Sequence, residues 1–273
     1  MDDNTGRYYI EDGVIKESSQ AQDADTHSGV MIYDVIRIIE GTPLFFEDHY
    51  TRTCKSFEAI GSVCGIKANE LKDQIRRILE ANDNYNCNIK YIMFNENGRA
   101  RAIGYICKSH YPTEGEIKSG MPVGLFSLER ENPNIKLVDH DYKKKINKIK
   151  LEKGFYEVFL VDREGNVTEG GTSNIFFIKK DKIFTAPEEK VLKGITRTHV
   201  IMTCKALGYD VIETSIPADR IDEAEAVFLS GTSPKVLPVS SIDNIRFDSA
   251  NHPVIAAIRK AFDKRIQEYL EQS

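Results

Sequence analysis

No stretch constrains the fold of this chain more than residues 155–185. FYEVFLV at 155–161 is an apolar run of strand length, a turn follows at Arg163–Asn166, and VTEGG at 167–171 leads to a hairpin over 174–185. Short apolar runs separated by turn residues read as β-strands. Alternation along a strand puts Val167 and Glu169 on the same face, so a carboxylate shares a side with a core residue. Gly170-Gly171 follows at once, and the backbone is expected to turn sharply there. An acid in that place reads either as an exposed turn carboxylate or as the rim of a pocket.

Upstream, residues 31–39 form a strand, Glu40-Gly41 a turn and 43–46 the return. Asp48 is placed to cap a helix that ends near Gly61. A second helix over 67–82 carries Leu71, Ile75, Ile78 and Leu79 on one face. Strands at 88–94 and 100–107 flank a tight turn at Asn95–Gly98. Beyond a polar stretch rich in Pro and Gly at 110–120, the pattern predicts a strand at 121–127, an extended piece at 134–138 and a helix at 141–153. A helix at 196–206, strands near 210–213 and 226–229 and a terminal helix from about residue 253 complete an α+β protein of two domains. The domains are expected at 1–112 and 121–273, with 113–120 as linker.

Composition excludes several function classes. A net charge of −5 leaves no electrostatic footprint for nucleic acid. The basic segment 143–150 fits a solvated helix face. No apolar run approaches the roughly 18 residues that cross a bilayer, and the acidic N-terminus is unlike a signal peptide, so a cytoplasmic location without membrane is expected. Cysteines at 54, 64, 87, 107 and 204 are odd in number and lack CxxC spacing, which argues against a disulfide framework and against a metal site.

Four stretches place polar groups where a purely structural chain does not need them. Besides VTEGGTSNIFF at 167–177, LKGITRTHV at 192–200 puts Gly194 ahead of a helix whose first turn holds Ile195 and Thr196. Backbone N–H groups and a hydroxyl at such a helix start bind phosphate. FLSGTSPKVLPV at 228–239 runs a buried strand into a turn containing Thr232 and Ser233, and EDHYTRTCKSFEAIG at 47–61 sets His49 and Arg52 one helical turn apart. Arg52 reads either as a surface cation or as a phosphate anchor.

In this order and spacing, YDVIR at 33–37, HYTR at 49–52, VTEGGTSNIFF, GITR at 194–197 and SGTSPKVLPV at 230–239 resemble the class IV pyridoxal-phosphate aminotransferases. That family includes branched-chain and D-amino-acid aminotransferases and aminodeoxychorismate lyase. The resemblance runs from about Gly29 to the C-terminal helix and implies a small α/β N-terminal domain, a larger C-terminal pseudo-barrel domain and a homodimer with sites at the domain boundary. It implies pyridoxal 5'-phosphate as cofactor, its ring nitrogen on Glu169 and its phosphate on Arg52, Ile195, Thr196 and Thr232.

A lysine must hold the cofactor covalently, and Lys136 and Lys144 compete. Lys144 has Asn147 three residues on, as family members often do, but falls inside the helix predicted at 141–153. Lys136 lies in the extended piece, far enough before Glu169 for a helix and a returning strand, and is preferred. Where many relatives have a tyrosine at the cofactor's ring oxygen, this chain offers His140 or Asp141. Tyr33, Val35, Lys90 and Ser233 are the expected substrate contacts, Lys90 standing where relatives often carry Arg. The implied reaction moves an amino group from a hydrophobic or branched-chain L-amino acid to a 2-oxo acid such as 2-oxoglutarate. The alternatives are a D-amino-acid aminotransferase, or a lyase that eliminates pyruvate from aminodeoxychorismate.

Overall fold

The computed structural model describes residues 3–21 and 29–273. The chain divides into two compact units. The first comprises Met1–His110, Ile135–Val138 and Tyr269–Ser273, and the second comprises Tyr111–Asn134 and Asp139–Glu268. The tetrapeptide that contains Lys136 thus packs with the first unit, although more than twenty residues of the second precede it in sequence.

In the first unit, β1 (Tyr8–Glu11), β2 (Val14–Glu17), β3 (Ile32–Ile39), β4 (Thr42–Pro43), β5 (Asn88–Glu96) and β6 (Arg99–Cys107) form one sheet in the order β2-β1-β6-β5-β3-β4. Helices α1 (Phe46–Ala59) and α2 (Ala68–Asn82) supply Phe46, Phe57, Leu71 and Ile75 to a core that also holds Ile32, Ile36 and Ile38 of β3. Each such side chain contributes roughly 1.5–3 kcal/mol by leaving water. The four apolar residues expected on one face of α2 are all buried. The turn between β5 and β6 falls at Asn97-Gly98, both with positive φ, as the hairpin signal predicts.

Helix α1 starts earlier than expected. Phe45, in the left-handed conformation at φ 53°, occupies the N-cap position, and no side chain caps the helix. Asp48 lies instead in the first turn with Glu47, where a negative charge meets the positive end of the helix. The return strand expected at 43–46 shrinks to the two residues of β4, because Phe45 already turns the chain into α1. Hairpin β1–β2 is not among the sequence expectations, although Asp12-Gly13 at its tip, both with positive φ, is a two-residue turn of the favoured kind.

The second unit contains α3 (Glu114–Ser119), β7 (Met121–Ser127), α4 (His140–Lys153), β8 (Glu157–Val161), β9 (Asn166–Gly170), β10 (Asn174–Lys179), β11 (Lys182–Thr185), α5 (Ile195–Ala206), β12 (Asp210–Glu213), β13 (Ile216–Pro217), β14 (Ala226–Gly231), β15 (Lys235–Ile242), β16 (Ile245–Arg246) and most of α6 (Pro253–Glu271). Its ten strands make one sheet, ordered β12-β11-β10-β14-β15-β7-β8-β9-β13 with β16 on β15, and curled into a half-barrel. Phe159, Val167, Ile175, Leu229 and Leu237 fill its core. Residues 113–120, expected as a linker, hold α3. Thr113 and Glu116 close a capping box in which the Thr113 hydroxyl accepts from the Glu116 N–H at 3.2 Å and the Glu116 carboxylate accepts from the Thr113 N–H at 2.7 Å. Among the described residues no helix is long and apolar enough to cross a membrane.

Candidate active site

The first unit gathers one group of candidate residues around β3. Alternation sends Ile32, Asp34, Ile36 and Ile38 to the face under α1, and Tyr33 and Val35 to the other. Asp34 is a carboxylate inside an apolar core, 4% exposed, and α1 brings the partners it needs. His49 and Arg52, three residues apart, lie on one side of the helix. Nδ1 of His49 lies 3.1 Å from Oδ1 of Asp34, Nε of Arg52 donates to Oδ2 at 3.1 Å, and Nη2 of Arg52 donates to Oδ1. Burial pushes the Asp34 carboxyl up, but the charges of Arg52 and His49 outweigh it and hold the group well below the usual carboxylate range. The surface-cation reading of Arg52 therefore fails: its side chain is 10% exposed and forks onto a buried acid.

At the edge of β3 opposite β5, residues 135–138 run alongside the start of the strand. The Tyr33 N–H donates to the Lys136 carbonyl and the Val138 N–H to the Met31 carbonyl, each at 2.9 Å, and Leu137 bridges Ile32. With the Leu137 N–H donating to the Ile135 carbonyl at 3.1 Å, these bonds fix the backbone at Lys136 in a tight three-residue turn, and its ammonium lies 4.7 Å from the centroid of the Tyr33 ring. Such an arrangement is a cation–π contact. Lys90 approaches the same ring at 5.1 Å and that of Tyr105 at 5.7 Å. Tyr33, Val35, Lys90 and Lys136 are thus neighbours. Lys144, by contrast, is exposed midway along α4.

The second unit gathers the other group. Glu169 on β9 is buried, and Val167 points the same way, as alternation predicts. Oε1 of Glu169 accepts from Arg130 at 3.0 Å and Oε2 accepts from the Leu192 N–H at 3.0 Å. Neither Gly170 nor Gly171 has a positive φ, so conformational freedom is not why they are glycines. A Cβ on Gly170 would stand 2.1 Å from Ser173 Oγ, and one on Gly171 2.6 Å from Ile146. The following Thr172 and Ser173 are tied to Glu157, whose buried Oε2 accepts from the Thr172 N–H at 3.1 Å and from both hydroxyls, at 2.6 and 3.2 Å.

Leu192 links Glu169 to the start of α5. Its carbonyl accepts from Asn174 Nδ2 at 3.0 Å and from the Gly194 N–H at 2.7 Å. Gly194 is the N-cap and offers no side chain, so Ile195 and Thr196 form a first turn that no side chain caps. A Cβ on Gly194 would stand 2.2 Å from Asn174 Oδ1. Gly194→Ala is expected to break the Asn174–Leu192 contact and to destabilise the protein by about 1–3 kcal/mol, read as a lower urea midpoint. An unchanged midpoint would contradict this account of the loop. Arg197 of the GITR motif is buried and bonded to the Ala186 carbonyl and to Glu213, so it anchors the helix.

Asn174 pairs with Ser230 across β10 and β14, which places the turn holding Thr232 and Ser233 beside this loop. The Ser230 hydroxyl is fully enclosed and has no hydrogen-bond partner among the described residues.

Four residues of these two groups, Asp34 in the first unit and Arg130, Tyr142 and Glu157 in the second, are absent from the sequence expectations. Tyr142 adjoins His140 and Asp141, the two residues expected at the cofactor's ring oxygen. Asp141 is exposed, whereas the Tyr142 hydroxyl donates to the Gly171 carbonyl at 2.9 Å and its ring lies under Arg130 at 5.5 Å. The acids and Arg130 act through partners distant in sequence and leave no local pattern.

The family model for class IV amino-transferases matches residues 31–242, most of the chain. The chain belongs to the class IV aminotransferases. It is therefore a pyridoxal-phosphate-dependent enzyme. Among its relatives, the D-alanine aminotransferase of Bacillus licheniformis is 27% identical over 258 residues, 90% of each chain. The branched-chain-amino-acid aminotransferase of Pseudomonas aeruginosa is 26% identical over 284 residues, 92% of each. The fold matches that of a branched-chain amino acid aminotransferase from T.th., solved in complex with N-(5'-phosphopyridoxyl)-L-glutamate. Its TM-score is 0.85 at 22% identity, over 97% of this chain and 96% of that one. The expected family and fold class hold.

The residues present suit the cofactor chemically. An α5 start with no side-chain cap suits a phosphate, a buried carboxylate suits a protonated ring nitrogen, and a half-buried lysine on hydrogen-bonded backbone suits covalent attachment. Among the described residues no cluster of His, Cys, Asp and Glu is arranged to hold a metal ion.

Proposed function

We propose that this aminotransferase takes the amino group of an apolar L-amino acid, a branched-chain one first, and passes it to a 2-oxo acid such as 2-oxoglutarate. The observation that carries this reading is the character of the surface around Lys136. Tyr33 and Val35 pack with Ile92, Phe94, Tyr105 and Val138, an aromatic and aliphatic cluster, and the Lys136 ammonium lies on the Tyr33 ring within it. A donor side chain laid there loses water against apolar groups, which favours hydrocarbon over charge.

In this reading Lys136 Nζ would hold the cofactor covalently and, as the free amine, would carry the α-proton of the donor. The bound cofactor supplies the electron sink that makes that proton removable. Glu169 accepts the ring N–H and keeps that nitrogen protonated, while Arg130 and the Leu192 N–H fix the carboxylate for the task. Ile195, Thr196 and Thr232 hold the phosphate with Arg52, and Ser233 contacts the substrate. The hydrogen bonds that pin residues 136–138 to β3 keep Lys136 from swinging away while it moves the proton.

The test is product formation by the protein loaded with pyridoxal phosphate, offered L-leucine, L-glutamate or D-alanine, with 2-oxoglutarate as acceptor for the leucine and alanine and 4-methyl-2-oxopentanoate for the glutamate. L-leucine and L-glutamate should react and D-alanine should lag by at least about tenfold, the scale of one misplaced side-chain contact. Turnover of D-alanine alone would overturn the L-specific reading. No transfer from any donor, with pyruvate released from aminodeoxychorismate, would replace transfer by elimination.

A further inference from the structure

Lys90 and Tyr105 are buried on neighbouring strands of the first unit, β5 and β6, and are paired across them. An ammonium at this depth needs an anion, because an uncompensated buried charge is costly. The anion is Asp3. Its Oδ1 accepts from the Tyr105 hydroxyl at 2.8 Å and its Oδ2 lies 3.4 Å from Lys90 Nζ, so one carboxylate bridges a cation and a phenol. The segment that carries it is laid on the end of β6: the Lys108 N–H donates to the Asp3 carbonyl at 2.6 Å, and Asn4 bridges Cys107. The place matters because Lys90 and Lys136 flank the same Tyr33 ring, at 5.1 and 4.7 Å. A carboxylate clamp thus stands one aromatic ring away from the lysine assigned to the chemistry, and a carboxylate of the chain itself fills it.

We propose that Asp3 is a specificity-determining residue: its carboxylate occupies the Lys90–Tyr105 clamp, and the distal carboxylate of a dicarboxylic substrate takes its place. The inference rests on the reading that substrate lies against Tyr33 beside Lys136. Two kinds of substrate must use that one surface, an apolar amino acid and a 2-oxo diacid. With an apolar side chain on Tyr33 and Val35, Asp3 neutralises Lys90 and spares the substrate a bare buried cation. With a diacid, the incoming carboxylate offers the same two acceptor oxygens, and Asp3 is exchanged for it. Chain-borne and substrate carboxylates therefore compete for one clamp, and Asp3 sets how strongly diacids are disfavoured.

Asp3→Asn tests this with little risk to the fold, since the side chain keeps its size and the backbone contact to Lys108 does not involve it. The binding of glutarate, a diacid, and of pentanoate, a monoacid of equal length, is measured by calorimetry on the protein loaded with pyridoxal phosphate. The variant should bind glutarate roughly tenfold tighter, as one charge-assisted contact no longer has to be displaced, and pentanoate no tighter than before. Lys90→Met should weaken glutarate binding and abolish its response to Asp3→Asn. Equal shifts for both acids, no shift for glutarate, or a response that survives Lys90→Met would overturn the proposal. Turnover of L-leucine is read separately: its absence in the unsubstituted protein would sink the transfer reading while leaving the glutarate comparison to decide the role of Asp3.

Discussion

Lys136→Ala is expected to lower the transamination rate by about a thousandfold or more, since in the proposed mechanism it removes the covalent hold and the proton carrier together, and positioned proton transfer alone is worth roughly 10²–10⁴ in rate. Lys144→Ala is expected to keep the rate within a factor of about two, as surface substitutions do. The contrast follows from where the two amines stand. Lys136 is half-buried, its carbonyl bonded to the Tyr33 N–H and the Val138 N–H to the Met31 carbonyl, with its ammonium over the Tyr33 ring. Lys144 stands in solvent, midway along α4. Steady-state rates of both variants check the expectation, with cofactor retention through gel filtration as the companion measurement. A Lys136→Ala protein with near-normal turnover would remove Lys136 from the chemistry, whatever its surroundings.

Arg52→Ala is expected to destabilise the protein by about 3–5 kcal/mol, the usual cost of leaving one partner of a buried ion pair behind. Asp34, 4% exposed, would then depend on His49 of α1 for its countercharge. The same pair shapes the acid limb of stability. Folding lowers the pKa of Asp34, so the stability it contributes is full above its unfolded value, about 3.9, and is lost as pH falls through the folded one. Asp34→Asn should therefore lower stability at pH 7 and flatten its loss below about pH 4, where the unfolded chain's carboxyl takes up a proton that the folded one does not. Urea unfolding from pH 7 downward reads both effects. An Arg52→Ala protein as stable as its parent, or an acid limb indifferent to Asp34→Asn, would mean that the pair does not hold α1 to β3.

What the sequence made legible was local. The apolar stripe of α2, the turn at Asn97-Gly98, the alternation that buries Glu169 beside Val167 and the helix start after Gly194 are readable because each depends on residues within a turn or two. Strand β15 escaped notice for a physical reason. A proline cannot donate to a ladder and weakens any strand pattern, yet Pro238 lies within the strand, opposite Phe228 of β14. Phe45 was illegible as a helix start because an aromatic residue in the left-handed conformation has no capping pattern. Gly170 and Gly171 read as sites of conformational freedom, when the close approach of Ser173 and Ile146 is what excludes a side chain.

Within the candidate site, the motif residues have local patterns, whereas what holds them does not. Asp34 under Arg52, Arg130 on Glu169 and Glu157 beneath Thr172 and Ser173 are pairs formed by folding, between positions 15 to 39 apart in sequence. Asp3 on Lys90, 87 positions away, is the extreme case. Such pairs leave no periodicity, and only the fold reveals them.

The central claim is that this class IV aminotransferase works through Lys136, and borohydride reduction of the protein loaded with pyridoxal phosphate tests it most directly. Reduction makes a link between lysine and cofactor irreversible, and mass mapping of the digested chain then names the lysine. The account predicts the pyridoxyl group on the peptide containing Lys136 and on no other. Its appearance on Lys144, or a chain that carries no label after reduction, would contradict the account.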